Sequence, residues 1–334
     1  MSVALIFVKM LAIAVGQFTL AINRPNVVLA AAVTGMFANI FVNYLLIYGN
    51  WGFPALGVAG AAWGTNAAIT IELVIVAAFV FSRPIRSAYN TLAARFDWAK
   101  VRELLRVGLP SGMQTLGDVG AWTVFFGIVI ATYGEKAMHA NNYMIQWMKL
   151  SFMPAFGLSV AVTALVGRYL GAGRPDLAEH RAHLGFKVAL TYMIALGVLF
   201  TLLRYPLMRT FSADPEVIRL GAIVAVFCSI FQVFDAMFII YSAALRGASD
   251  TFWPMVVQTT LCYTLLVGGG LGVAFGLPQL GIAGPWSVGA IYCAILSSYL
   301  LLRFRAGRWK NNKPGDGPRP GIEHEPQTAE LAAI

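Results

Sequence analysis

Asp118 and Asp235 each stand deep inside a long apolar stretch, where an ionised side chain finds no water. Asp235 lies in Gln232-Val233-Phe234-Asp235-Ala236, eleven residues before Arg246, and its short side chain does not reach a surface. Asp118 lies in Leu116-Gly117-Asp118-Val119-Gly120, whose glycines admit water or a closely packed helix. A charge at the centre of a hydrocarbon layer costs at least ~2.5 to 3.5 kcal/mol, so one kept there is expected to face a bundle interior and to act on ions. Glu72 sits in another apolar stretch, and Lys149 shares its own with Asn141 and Gln146. A lysine also has the option of threading its stem outward along the helix. Asp118 and Asp235 are therefore the candidate ion-coupling residues, and Glu72, Lys149, Asn141 and Gln146 are candidates to line a substrate path.

The same chain is poor in bond-making chemistry. Gly157-Leu158-Ser159-Val160-Ala161 departs from GxSxG, and neither an HExxH nor a phosphate-binding loop is present. His180 and His183 fall in a basic turn and are expected in solvent. Cys228, Cys262 and Cys293 fall in apolar stretches without CxxC spacing and read as small buried hydrophobes. An enzyme is not expected, nor a resident metal or cofactor.

The elements that must position these residues are membrane helices. Of 334 residues 58% are hydrophobic and only 12% charged, and the charges gather in a few loops and one tail. A hydrocarbon core about 30 Å thick takes about 20 apolar residues to cross. Nine runs qualify, near 3–20, 26–48, 57–81, 107–133, 140–167, 185–204, 218–245, 253–276 and 284–302. The first has neither the basic start nor the cleavage site of a secretory leader and reads as a helix.

Lysines and arginines favour the cytoplasmic side. They crowd 83–106, the turn with Arg168, Arg174, Arg181 and Lys187, and the tail with Arg303, Arg305, Arg308 and Lys310, whereas the turns at 49–56 and 278–283 have none. Arg204, Arg209 and Arg219 run against the pattern. The C-terminus is then expected in the cytoplasm of a bacterial cell whose inner membrane holds the chain. The net charge of +9 flanks apolar spans, which suits anionic lipid headgroups and not a nucleic acid. Between Asp97 and Arg106, Trp98, Val101, Leu104 and Leu105 alternate at helical spacing with bases, which predicts a separate interfacial helix. After Lys310 the composition predicts a disordered tail.

Pro54-Ala55-Leu56-Gly57-Val58-Ala59-Gly60 precedes the third span and Pro278-Gln279-Leu280-Gly281-Ile282-Ala283-Gly284 the ninth. An even separation of six spans gives both copies the same direction across the bilayer, as in a parallel repeat of six helices. The expected organisation is all-α and polytopic, with about nine transmembrane helices forming one complete six-helix lobe plus half of a second. Its parts are 1–82, the second half of the N-terminal lobe; 83–106, a cytoplasmic linker; 107–305, the C-terminal lobe; and 306–334, the tail. Gly268, Gly272 and Gly276 predict a smooth face for helix packing, and Pro110 and Pro154 predict bends.

Three segments resemble the multidrug and toxic compound extrusion (MATE) family. Met153-Pro154-Ala155-Phe156-Gly157-Leu158-Ser159 through Leu165-Val166-Gly167-Arg168-Tyr169-Leu170-Gly171-Ala172-Gly173 is similar to its eighth-helix signature. Ala244-Leu245-Arg246-Gly247-Ala248-Ser249-Asp250-Thr251 resembles the turn after its tenth helix, and Asn43 to Gly49 with Pro54 to Gly57 resembles its fifth-to-sixth helix passage. The resemblance covers roughly residues 10–305 and implies twelve helices in two lobes, the first three having no counterpart here. It places Asp235 at the acidic position of the tenth helix, implicated in cation or proton coupling, and Asp118 at an acidic position in the seventh helix of some members. It implies an antiporter that exports organic cations by alternating access against Na⁺ or H⁺, working as a monomer. The rival readings are a flippase for lipid-linked oligosaccharides and a truncated remnant that transports nothing.

Overall fold

The computed structural model describes residues 3–89, 91 and 97–311, and the regular structure among them is entirely helical. It forms two compact units, Met1–Ala99 and Lys100–Ile334.

The first unit holds α1 (Val3–Ala21), α2 (Pro25–Tyr48), α3 (Val58–Val80) and the short α4 (Arg83–Tyr89). Pro25 opens α2 with its φ already helical, and Gly49 closes it in a left-handed conformation, φ 71, donating its N–H to Leu45 O. α3 packs on both α1 and α2. The shared core is small: Ala31, Val76 and Val80, ringed by Val15, Phe18, Ile75 and Phe79. Large side chains such as Phe7, Leu29 and Phe37 point outward, as they do where the surrounding solvent is lipid.

α5 (Trp98–Val124) starts two residues before the boundary and runs into the second unit, and Asp97 caps its start by accepting the Ala99 N–H at 3.0 Å. A π-helical turn, Phe125–Val129, and a tight turn, Ile130–Tyr133, carry α5 onward. Then come α6 (Glu135–Gly171), α7 (Pro175–Leu202), α8 (Arg204–Arg209) and α9 (Pro215–Gly247). α10 (Phe252–Leu261) passes through a second π-helical turn, Cys262–Gly269, into α11 (Gly270–Gly276), and α12 (Ala283–Arg305) closes the unit. α9 is apolar all round and sits at the centre, packed by α6, α7, α8 and α12.

Eight helices are long and apolar enough to cross a membrane, counting α5 with its turns and α10 with α11 as one each; α1 adds a shorter apolar stretch, Ile6–Ala21. The chain is thus a multi-span membrane protein of the expected class. Several boundaries differ. α6 extends beyond 140–167 at both ends, and α7 starts at Pro175 instead of 185, so Arg181, His183 and Lys187 are helical. Apolar counting marks only the part in hydrocarbon, whereas a helix runs on as long as its backbone bonds are made. For the same reason no separate interfacial helix forms at 97–106: Trp98 to Arg106 are the first turns of α5. Pro110 and Pro154 lie inside α5 and α6 without ending either. Of the expected tail, residues 312–334 lie outside the described residues, as do 90 and 92–96 of the linker. Arg308–Asn311 instead form a helical turn, where Trp309 is fully buried, stacks on Phe304 at 4.7 Å and donates Nε1–H to Phe304 O.

Candidate functional site

Four helices of the second unit surround a cavity of about 220 Å³. α5 turns Asp118 and Trp122 toward it and the π-helical turn after it adds Phe126, residues four apart; α6 contributes Ile145, Met148, Lys149, Phe152 and Phe156 at spacings of three, one, three and four. α9 adds Phe231, Asp235, Phe238 and Ile239, and α12 adds Trp286, Tyr292, Cys293 and Leu296. These are helical repeats of the kind that put one stripe of side chains on one side. The π-helical turn at Cys262 brings its thiol 2.8 Å from Tyr292 Oη.

The walls are mainly aromatic. Trp122 lies against Phe126 and Tyr292, and Phe231 meets Trp286 edge to face, centroids 5.4 Å apart. Trp286 is almost fully buried, and its Nε1–H has no acceptor among the described residues.

The two aspartates differ in how they are held. Gln258 Nε2 donates to Asp118 Oδ1 at 3.0 Å, Gln114 Nε2 donates in turn to Gln258 Oε1, and the Cys262 thiol stands 3.9 Å from the same carboxylate oxygen. Two amides in series thus fix the orientation of Asp118. Asp235 has no hydrogen-bond or ion-pair partner among the described residues and faces the cavity. A carboxylate in apolar surroundings without a partner has a strong demand for a cation or a proton.

The other candidates divide. Lys149 lines the same cavity. Asn141, one turn before Ile145, is fully buried with both side-chain amide atoms unpaired and does not line it, while Gln146 is exposed on a different face of α6. Glu72 belongs to the first unit, where its side chain lies over Gly35 of α2. Sequence reasoning missed Gln114 and Gln258, although Gln114 stands one turn from Asp118 on the same face, a spacing that joins helical side chains. His183, expected in solvent, is half-buried with Nδ1 3.1 Å from Tyr241 Oη, because α7 starts early enough to carry it onto α9. The stripe Gly268, Gly272 and Gly276 does not make the close approach. The wide turn shifts the register, and Gly269 and Gly270 face Val288, Phe125 and Val129 instead.

The profile of a family described as MatE matches residues 120–268. A probable multidrug resistance protein NorM of Thermotoga maritima is 34% identical over 284 residues, 83% of this chain and 60% of the relative. The multidrug resistance protein PmpM of Pseudomonas aeruginosa is 32% identical over 257 residues, 76% of this chain and 52% of the relative. The chain thus spans less than two thirds of these relatives. Among solved structures, the outward-facing conformation of a multidrug resistance MATE family transporter of the MOP superfamily superposes with a TM-score of 0.75 at 19% identity, over 86% of this chain and 63% of that one. A MOP superfamily transporter from Pyrococcus furiosus gives 0.75 at 20% identity, over 84% and 63%. Both share the fold.

Proposed function

With the chain a member of the multidrug and toxic compound extrusion family, one of transporters and not of enzymes, we propose that it forms the larger part of an antiporter that exports organic cations across a bacterial inner membrane against Na⁺ or H⁺. In this reading α5 to α12 are the complete C-terminal lobe, α1 to α3 are the second half of the N-terminal lobe, and the C-terminus is cytoplasmic.

The observation that carries the reading is Asp235: a carboxylate without a partner, inside a cavity whose walls are aromatic. Aromatic faces attract a cation and bury the apolar body that carries it. A small cation or proton on Asp235 and an organic cation beside it compete for one negative charge, so uptake of one expels the other. Gln258 and Gln114 keep Asp118 in place while Asp235 exchanges partners. Occupancy then changes which helix packing is favoured, and a ligand shifts such an equilibrium only by its differential affinity for the two states. A flippase for lipid-linked pyrophosphates needs several cations in its cavity; here Lys149 alone faces two carboxylates.

Efflux of a fluorescent organic cation from vesicles, driven by a Na⁺ or proton gradient, tests the assignment in a version of the protein with both lobes complete. Asp235→Asn should reduce gradient-coupled efflux roughly tenfold or more, the loss of one charge-assisted contact. Undiminished coupled efflux would remove Asp235 from the mechanism.

A further inference from the structure

Lys149 is the one cation among the cavity-lining residues. It stands fourteen residues after Glu135, the first residue of the 37-residue α6, about 21 Å along the axis at 1.5 Å per residue. Its side chain is exposed on the face of α6 that lines the cavity, so its ammonium is accessible to whatever enters there. Its ammonium has no ion-pair or hydrogen-bond partner among the described residues. Neither aspartate neutralises it by direct contact, although all three share the one space.

We propose that Lys149 is a charge filter: its ammonium offsets one of the two carboxylates, so that the cavity accepts cargo with one positive charge and disfavours cargo with two. The inference rests on the reading that Asp118 and Asp235 receive a cationic cargo. With both carboxylates ionised and Lys149 charged, the cavity carries a net charge of −2 + 1 = −1. One monocation balances it. A dication leaves an uncompensated positive charge among aromatic walls, and buried charge without a partner is strongly unfavourable. Without Lys149 the same walls carry two negative charges, and a dication becomes the balanced guest.

Two flat biaryl cations of nearly equal size separate the effects of charge and shape: N-methyl-phenylpyridinium, a monocation, and methyl viologen, a dication. Their dissociation constants are measured on the purified full chain in lipid nanodiscs. The wild-type chain should bind the monocation more tightly. Lys149→Gln should move the affinity ratio toward the dication by roughly tenfold or more, the Coulomb effect of one unit charge at several ångströms in a medium of intermediate dielectric, and Lys149→Arg should keep the wild-type ratio. A wild-type preference for methyl viologen would overturn the filter without recourse to any variant, and so would an unmoved ratio in Lys149→Gln.

The doubly substituted Asp118→Asn, Asp235→Asn chain separates this proposal from the one beneath it. Loss of both probes there, with an unmoved ratio in Lys149→Gln, defeats the filter alone. Retention of both probes defeats the cationic-cargo reading and the filter with it, as does a wild-type chain that binds neither.

Discussion

At Gly57 and Gly281 the backbone takes nearly the same conformation, φ 53 and 55 with ψ −123 and −153, and each glycine leads into a transmembrane helix. The helices that follow live differently. In its most apolar window α3 is 28% buried and α12 44%. α3 shares a core of three buried residues with its neighbours, whereas α12 lies on α9 and buries Trp286, Tyr292, Leu296 and Phe304. The approach at the matching glycine also differs in kind: a methyl at Gly60 would lie 2.5 Å from Leu46 O, and one at Gly284 would lie 2.7 Å from Val273 Cγ1. The repeated turn fixes how the chain re-enters the bilayer; how much is then buried depends on the partner helix. The α12 copy, packed on the central α9, contributes Trp286, Tyr292, Cys293 and Leu296 to the cavity.

Substitutions at paired positions test that contrast. Gly60→Ala should be the most damaging, lowering stability by about 2–3 kcal/mol, because a backbone carbonyl cannot step aside. Gly284→Ala at the matching position should cost about 1 kcal/mol or less, since a valine side chain has other rotamers. Denaturant midpoints of the solubilised chain give both numbers, and equal losses would erase the distinction.

Gly57→Ala and Gly281→Ala should each cost about 1–2 kcal/mol, and by similar amounts, because a Cβ is strained at this positive φ whatever surrounds it. A harmless alanine at either position would dissolve the equivalence of the two turns.

The smallest effect belongs to the second unit alone. Asp214 caps α9 by accepting the Glu216 N–H at 2.8 Å, and Lys136 lies 3.1 Å from its carboxylate. The amide first and the ammonium second hold that carboxyl below its ordinary value. A carboxyl depressed by folding adds stability that is complete above the unfolded value near 4 and fades as the pH falls through the folded one. Denaturant midpoints of Asp214→Asn should therefore fall slightly less from neutral to acid pH than those of the wild type. An identical slope in the two chains would remove Asp214 from the acid response.

Much of this was legible from residue types. Apolar runs announced the spans, because nothing but a helix satisfies the backbone inside lipid, and the isolated charges at 118, 149 and 235 marked the stripes that share the cavity. Asn141 is buried away from this cavity, and a polar side chain on a helix carries no sign of whether it faces a cavity or a packed neighbour. The bond between Gln258 and Asp118 spans 140 residues, and only the packing of α10 on α12 and its neighbours creates it. The start of α7 was hidden because its first turns are polar, although Pro175 and Asp176 are a fair helix-opening pair.

The wide turn at Cys262–Gly269 has a bearing on comparison with other chains. An extra residue accommodated within one turn rotates everything after it by about 100° relative to an unbroken helix. Side chains before and after the bulge therefore belong to two different angular frames, and a wheel drawn through 252–276 as one rod mislabels half of them. A homologue shorter by a single residue within this stretch would be a straightened helix with the same two ends, and a gap placed there is a statement about geometry as much as ancestry.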